Sequence, residues 1–277
     1  MKIAIASGKG GTGKTTLALA IAIALSSKKS VTLLDCDVEE PNCKLFLKMD
    51  FQKIENVEVN IPYINEPKCI ACGTCAQFCR FNAIASLGSK ILIFEELCHS
   101  CGGCARVCPT QAISEKKKKI GTVSSGSQGN LNFAMGAIDI GYPIASSVIQ
   151  ATLECQFGAE YVIIDSPPGA SCPMVSAVKD ADFVMLVTEP TAFGLHDLKI
   201  AVDVVTKLNI PFGVILNKSD SGDDRVNHFC SLKSIPILLE IKEERRIAEL
   251  YSNGLTLIDA LPEYKQKLID LIEKLQI

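Results

Sequence analysis

The stretch "GKGGTGKTT" (Gly8–Thr16) lies between a short apolar run, "KIAIA" (Lys2–Ala6), and a longer one, "LALAIAIAL" (Leu17–Leu25). Through Gly8, Gly13, Lys14 and Thr15 it satisfies G-x-x-x-x-G-K-[ST], with a strand expected before it and a helix after it. Such a loop grips phosphate because glycines let backbone N–H groups close on the oxygens. A lysine adds a point charge, and a hydroxyl can reach Mg²⁺. Gly8, Gly10, Gly11, Thr12, Gly13, Lys14, Thr15 and Thr16 are therefore the expected nucleotide-binding set, with Thr15 also a Mg²⁺ ligand. The run Leu17–Leu25 has the look of a signal-peptide core, but it is too short to span a membrane and follows the loop directly. It reads as a buried helix. No other window reaches membrane-spanning length, so a soluble cytoplasmic protein is expected.

Working outward, "VTLLD" (Val31–Asp35) reads as a second strand. "YVIID" (Tyr161–Asp165), "DFVMLVT" (Asp182–Thr188), "FGVILN" (Phe212–Asn217) and "IPILLE" (Ile235–Glu240) are apolar runs with the intervening lengths of strand–helix crossovers. Polar residues at their ends (Asp35, Asp165, Thr188, Asn217) sit where a doubly wound parallel sheet binds ligands, at its carboxyl edge. The α/β pattern loosens from about Asp50 and is gone by "NIPYINEPK" (Asn60–Lys68), returning after "KKKK" (Lys116–Lys119). A composition 48% apolar and 21% charged supplies ample core, and a net charge of −3 gives no reason to expect nucleic acid.

The gap holds eight of the thirteen cysteines. "CIACGTCAQFCRFNAI" from Cys69 and "CHSCGGCARVCPTQAI" from Cys98 align without a gap. Each carries C-x₂-C-x₂-C-x₃-C, a spacing that fits a cubic iron–sulfur cluster with three thiolates from one loop and the fourth from the helix start of the other half. The duplication suggests two [4Fe–4S] clusters with crossed ligation: Cys69, Cys72, Cys75 and Cys108 for one, and Cys98, Cys101, Cys104 and Cys79 for the other. Zinc also binds paired C-x₂-C units, but four cysteines in this order, twice, favour iron–sulfur. The segment resembles a bacterial two-cluster ferredoxin, departing from it where Arg80 replaces the proline that Pro109 supplies in the second half. His99 reads as a solvated neighbour. Cys36, Cys43, Cys155, Cys172 and Cys230 read as small core residues, Cys36 and Cys172 lying in or beside the switch segments described next. The lysine run reads as a solvated strand or linker, or a docking patch for an acidic redox partner.

Lys9 makes the phosphate loop resemble the deviant Walker A loop of the MinD/ParA/nitrogenase-iron-protein ATPases, and the likeness extends over nearly the whole chain. It implies that Lys9 reaches the nucleotide of a partner subunit in an ATP-dependent homodimer or a dimer with a paralogue. "DCDVEEPN" resembles the family's D-x-D-x-x-x-x-N switch through Asp35, Asp37 and Asn42. By resemblance Asp37 orients the attacking water, Asp35 lies near the Mg²⁺ shell, and Asp165 of "IIDSPPG" is the Walker B carboxylate. Lys9, Lys14 and Asp37 are then the catalytic set. "NKSD" (Asn217–Asp220) formally matches a guanine reader, whereas the family reading has Asn217 contact adenine.

The expected fold is an α/β P-loop NTPase with a mostly parallel, doubly wound sheet. A discontinuous ATPase domain (1–60 and 115–277) is interrupted by a small α+β two-cluster ferredoxin-like insert (61–114). The expected function is ATP-gated electron transfer through two [4Fe–4S] clusters to an unknown redox partner protein, with ATP/ADP and Mg²⁺ at the switch. An iron–sulfur carrier or assembly ATPase of the Mrp/Nbp type is the alternative, although its lone C-x-x-C pair is absent outside the insert. Membrane positioning would need a basic amphipathic C-terminal helix. "LPEYKQKLIDLIEKLQI" has mixed charges and reads as a helix packed on the core.

Overall fold

A computed structural model describes residues 1–275. Its strands are β1 (Lys2–Ala6), β2 (Val31–Asp35), β3 (Lys53–Ile64), β4 (Ile84–Ser86), β5 (Ile91–Ile93), β6 (Ile113–Gln128), β7 (Leu131–Ile138), β8 (Tyr161–Asp165), β9 (Phe183–Thr188), β10 (Phe212–Asn217) and β11 (Ile237–Ile241). The helices are α1 (Lys14–Ser26), α2 (Thr74–Phe78), α3 (Gly103–Arg106), α4 (Ser146–Leu153), α5 (Cys172–Val178), α6 (Ala192–Lys207), α7 (Arg225–Leu232), α8 (Arg245–Tyr251), α9 (Leu257–Ala260) and α10 (Tyr264–Lys274).

One sheet runs in the order β11-β10-β9-β1-β8-β2-β7-β6-β3. From β11 to β7 every neighbouring pair is parallel, and the last two pairings, β7–β6 and β6–β3, are antiparallel. Strand side chains alternate between faces. Ala4, Ala6, Leu34, Ile164, Val184 and Val214 meet α4, α5, α6 and α7 on one side. Ile3, Ile5, Leu33, Ile163, Met185 and Ile215 meet α1, α9 and α10 on the other. A helix pressed into that second layer must be apolar almost all round, which explains "LALAIAIAL": Leu17–Ala22, Ala24 and Leu25 are all buried. The C-terminal helix α10 buries Tyr264, Leu268, Ile269 and Ile272 against that same layer. No helix among the described residues is long and apolar enough to cross a membrane.

The middle of the chain departs from the sequence-based expectation. Residues 53–64, where the pattern fades, form the twelve-residue edge strand β3, and the lysine run lies within its partner β6. The pairing register runs unbroken in direction from Lys53↔Ser125 to Ile64↔Ile113, so both strands pass through positions 60 and 115 without interruption. An edge strand is half exposed, and its alternation of Val57, Val59 and Ile61 with Glu58 and Asn60 replaces the continuous apolar run of a central strand. At the far end of this ribbon sit α2, α3 and the small β4–β5 hairpin, packed around Cys75, Ile84, Ile91 and Ile113.

Candidate functional site

The nucleotide face is assembled by strand register. Asp35 and Asp165 are register partners at the ends of β2 and β8, and Ile5 of β1 pairs with Asp165, so the loop leaving β1 rises beside both carboxylates. The loop turns into α1 through Gly13, whose φ of 95° is left-handed. A Cβ there would also lie 2.7 Å from Asn217 Nδ2, which donates a 2.9 Å hydrogen bond to Thr12 O. Asn217 thus ties the end of β10 to the phosphate loop. Gly10 and Gly11 are exposed, Gly8 and Thr16 half-buried, and Thr12 and Lys14 buried.

Lys14, Asp35 and Asp165 form a buried charge cluster at 6%, 0% and 1% exposure. Burial lowers the pKa of the Lys14 ammonium, and the carboxylates of Asp165 and Asp37 oppose that loss. Burial raises the pKa of Asp35, and the neighbouring Asp165 charge adds to it. Burial likewise raises Asp165, opposed by the Thr15 hydroxyl and Lys14. The half-buried Asp37 is pushed up to about 6, chiefly by burial and against the pull of Lys14. Among the described residues three side-chain atoms are buried without a hydrogen-bond partner, Thr12 Oγ1 and Asp165 Oδ1 at this face and Asn227 Oδ1 on α7. Buried polar atoms are rarely left so unless a ligand completes them. The donor set of Thr15, Asp35 and Asp165 therefore fits a hard cation beside a phosphate chain.

Sequence reading missed two residues here. Cys43 places its N–H 3.0 Å from Asp35 Oδ2 and its thiol 3.5 Å from Asp165 Oδ2, bracing the segment after Asp37 against both carboxylates. Only the strand register brings it there, so its spacing in sequence carried no signal. Glu189 is the other. The Lys9 ammonium is 3.5 Å from Glu189, whose second oxygen is 2.9 Å from Lys218.

The cysteine-bearing lobe contains two cavities. One, of about 20 Å³, is lined by Cys69, Cys72, Cys75 and Cys108. The other, of about 570 Å³, is lined by Cys79, Cys98, Cys101 and Cys104, with Phe78 and Phe81 among its walls. Cys79 and Cys108 lie beyond the ends of α2 and α3, not at helix starts as the spacing had suggested. The repeat is conformational as well as sequential. Ala71 and Ser100, Gly73 and Gly102, and Asn82 and Gln111 are matching positions, and all six have positive φ. These turns aim N–H groups inward: Ser100 N–H points at Cys98 Sγ (3.4 Å) and Ala112 N–H at Cys108 Sγ (3.2 Å). Soft thiols in fours, with amide donors to sulfur, fit a thiophilic metal cluster. His99 stacks on Phe81 at 3.7 Å. Of the remaining cysteines Cys36, Cys43 and Cys230 are buried and Cys155 is half-buried against the main core, while Cys172 is exposed, contrary to the core role expected of it. Cys172 opens α5 at the carboxyl edge, where its helix start faces solvent.

The profile of the CobQ/CobB/MinD/ParA nucleotide binding domain matches residues 3–258. The chain is 32% identical to the uncharacterized protein MJ0578 of Methanocaldococcus jannaschii, over 100% of this chain and 96% of that one. It is also 32% identical to an iron-sulfur cluster carrier protein of Rickettsia bellii, over 43% of this chain and 39% of that one. Among solved structures, the septum site-determining protein MinD of Pyrococcus horikoshii, complexed with Mg-ADP, superposes with a TM-score of 0.60 at 21% identity, covering 99% of this chain and 95% of that one. MinD of Pyrococcus furiosus gives 0.61 at 20% identity, covering 99% and 98%.

Proposed function

The chain belongs to the CobQ/CobB/MinD/ParA nucleotide-binding family, and on that premise we propose that it is an ATP-hydrolysing iron–sulfur protein. Its nucleotide-dependent dimer switch controls electron transfer through two [4Fe–4S] clusters carried by a ferredoxin-like insert spanning 61–114. The observation that carries this reading is the sorting of eight cysteines into two sets of four on a ribbon continuous with the nucleotide-binding sheet. When bound there, the clusters supply one-electron carriers between a donor and an acceptor protein.

The chain's own groups do the rest. Lys14 and the loop amides hold the phosphates of ATP, while Asp35 and Asp165, whose oxygens lie together, and Thr15 beside Asp165 are the groups to hold Mg²⁺. Asp37 orients the water that attacks the γ-phosphate, giving ADP and phosphate. Lys9 must leave Glu189 to reach a partner's nucleotide, a movement that ties dimer closure to the ATP state. Asn217 serves the adenine side.

The test is a reductive titration of anaerobically purified protein, read by electron paramagnetic resonance without nucleotide, with ADP and with a non-hydrolysable ATP analogue. About eight irons and a potential that moves by roughly 30 mV or more between states are expected. Coincident curves would sink the gating. The names of the Rickettsia relatives favour a second reading, an iron–sulfur cluster carrier. Mixing with an apo-ferredoxin separates the two: a carrier gives up iron, and an electron-transfer protein keeps it.

A further inference from the structure

The connection between β7 and α4, residues 139–145, touches three things at once. Its first end is fixed to the segment that follows Asp37. Ile138 N–H donates to Val38 O at 2.9 Å, and Val38 lies on bare backbone at Gly136, where a Cβ would come within 2.7 Å of Val38 Cγ1. Its other end belongs to both switch segments. Ala145 lines a cavity of about 100 Å³ with Asp37, Val38, Pro167 and Pro168, and the next residue, Ser146, accepts a 3.3 Å hydrogen bond from Ser176 of α5. Between these ends the chain is pinned by Asp139 N–H to Ile120 O (2.8 Å) and by Tyr142 N–H to Asp139 O (3.1 Å). Lys119 adds a 3.6 Å ion pair to Asp139.

The middle of the connection faces the lobe. Tyr142 and Cys98 each pack against the main core, and the side chain of Ser100 hydrogen-bonds the Tyr142 hydroxyl. Ser100 is the left-handed residue (φ 55°) whose N–H points at Cys98 Sγ. The Cys69 set keeps to the lobe: Cys69, Cys75 and Cys108 pack in the lobe's own apolar cluster, whereas Cys98 packs against the main core.

We infer that residues 139–145 form a strap through which the nucleotide face acts on the Cys98 set alone, with Tyr142 as the positioning residue. This deepens the electron-transfer reading and rests on it. A movement at Asp37–Val38 shifts Ile138 and Ala145 together, because packed elements have discrete arrangements and do not deform continuously. Tyr142 then displaces Ser100, and the N–H donated to Cys98 Sγ changes. Amide hydrogen bonds to a ligating sulfur tune the potential of the metal group that sulfur would hold. Contiguity becomes coupling only when one end moves the equilibrium at the other.

The experiment uses the full metal-loaded chain in wild-type, Tyr142→Phe and Tyr142→Ala forms. It has two readouts, each with ADP and with a non-hydrolysable ATP analogue: the reduction equilibria of the two cluster signals, and hydrogen exchange over residues 98–102. Cys72→Ser, which perturbs the other set, identifies which signal is which. In the wild type one signal should shift about fivefold in its equilibrium constant, the lower end of ordinary coupling between sites. The other signal should stay still, and exchange at 98–102 should follow the nucleotide. Tyr142→Phe, which loses only the hydroxyl, should diminish both responses, and Tyr142→Ala should abolish them while nucleotide affinity is kept. Undiminished responses in Tyr142→Ala, equal shifts of both signals, or nucleotide-independent exchange at 98–102 in the wild type would each overturn the strap. If exchange responds and is lost in Tyr142→Ala while neither potential moves, the strap stands and the electron-gating reading falls.

Discussion

At the nucleotide face, Lys14, Asp35 and Asp165 are held at the carboxyl edge of a sheet whose two layers bury most of the chain's large apolar side chains. In the cysteine lobe, only Cys75, Ile84, Ile91 and Ile113 are buried in the local apolar cluster, and Ile70, Phe78, Leu87 and Leu97 lie exposed. The first region is held in place by its core and so can keep charged groups close together before any ligand arrives. The second has little core of its own, so if its cysteines hold clusters as proposed, those bonds would fix its geometry. The difference teaches where each region is vulnerable: core mutations should injure one, and loss of metal the other.

Anaerobic removal of iron with a chelator is the strongest way to break this comparison. Limited proteolysis should then cut within residues 65–112 while ATP binding and the main unfolding transition persist. Loss of both regions together would show the ribbon β3–β6 to be no boundary at all. Next, Lys14→Ala should weaken ATP binding by about 100-fold, or ~2.7 kcal/mol, with the iron content unchanged. Calorimetry and iron analysis read the two sides, and a fall in iron would couple what the comparison separates.

A pair of core truncations sharpens it further. Leu33→Ala, at a fully buried position in the layer under α1, should cost about 3 kcal/mol in urea unfolding. Ile91→Ala in the lobe should cost ~1 kcal/mol or less while metal is bound, because the ligand bonds carry the load. Equal costs would refute the assignment of stability to metal in the lobe.

The smallest effect is on pH dependence. Asp35 and Asp165 have folded pKa values above their unfolded ones, so the nucleotide-free folded state takes up protons more readily than the unfolded state. Stability from this source is present at low pH and is lost as pH rises through the folded values. Between pH about 5 and about 8, the wild type should therefore lose ~1 kcal/mol or more relative to Asp35→Asn, and Mg-ADP should remove the difference. Parallel pH profiles for the two proteins would contradict the buried pair.

Much of the parallel sheet could be read in advance, because a strand buried on both faces announces itself as an unbroken apolar run: "KIAIA", "VTLLD" and "YVIID" become β1, β2 and β8 with matching bounds. The ribbon β3–β6 escaped notice because an edge strand alternates polar and apolar residues and carries Pro62 and a lysine run, features that resemble a linker. The residue sets at the site divide the same way. The phosphate loop and the two cysteine repeats are local patterns, visible as spacings within a few residues.

Cys43 beside Asp165, Glu189 on Lys9 and Tyr142 against the Cys98 loop are meetings of segments far apart in the chain. Local spacing thus settled the glycines that bend around phosphate, the cysteine intervals and the runs that must be buried, because these depend on residues a few positions apart. The tertiary structure alone decided which carboxylates stand side by side and what lies between the nucleotide face and the cysteines. Register in a parallel sheet and the reach of a crossover are set by the packing of whole layers, which no short stretch of sequence contains.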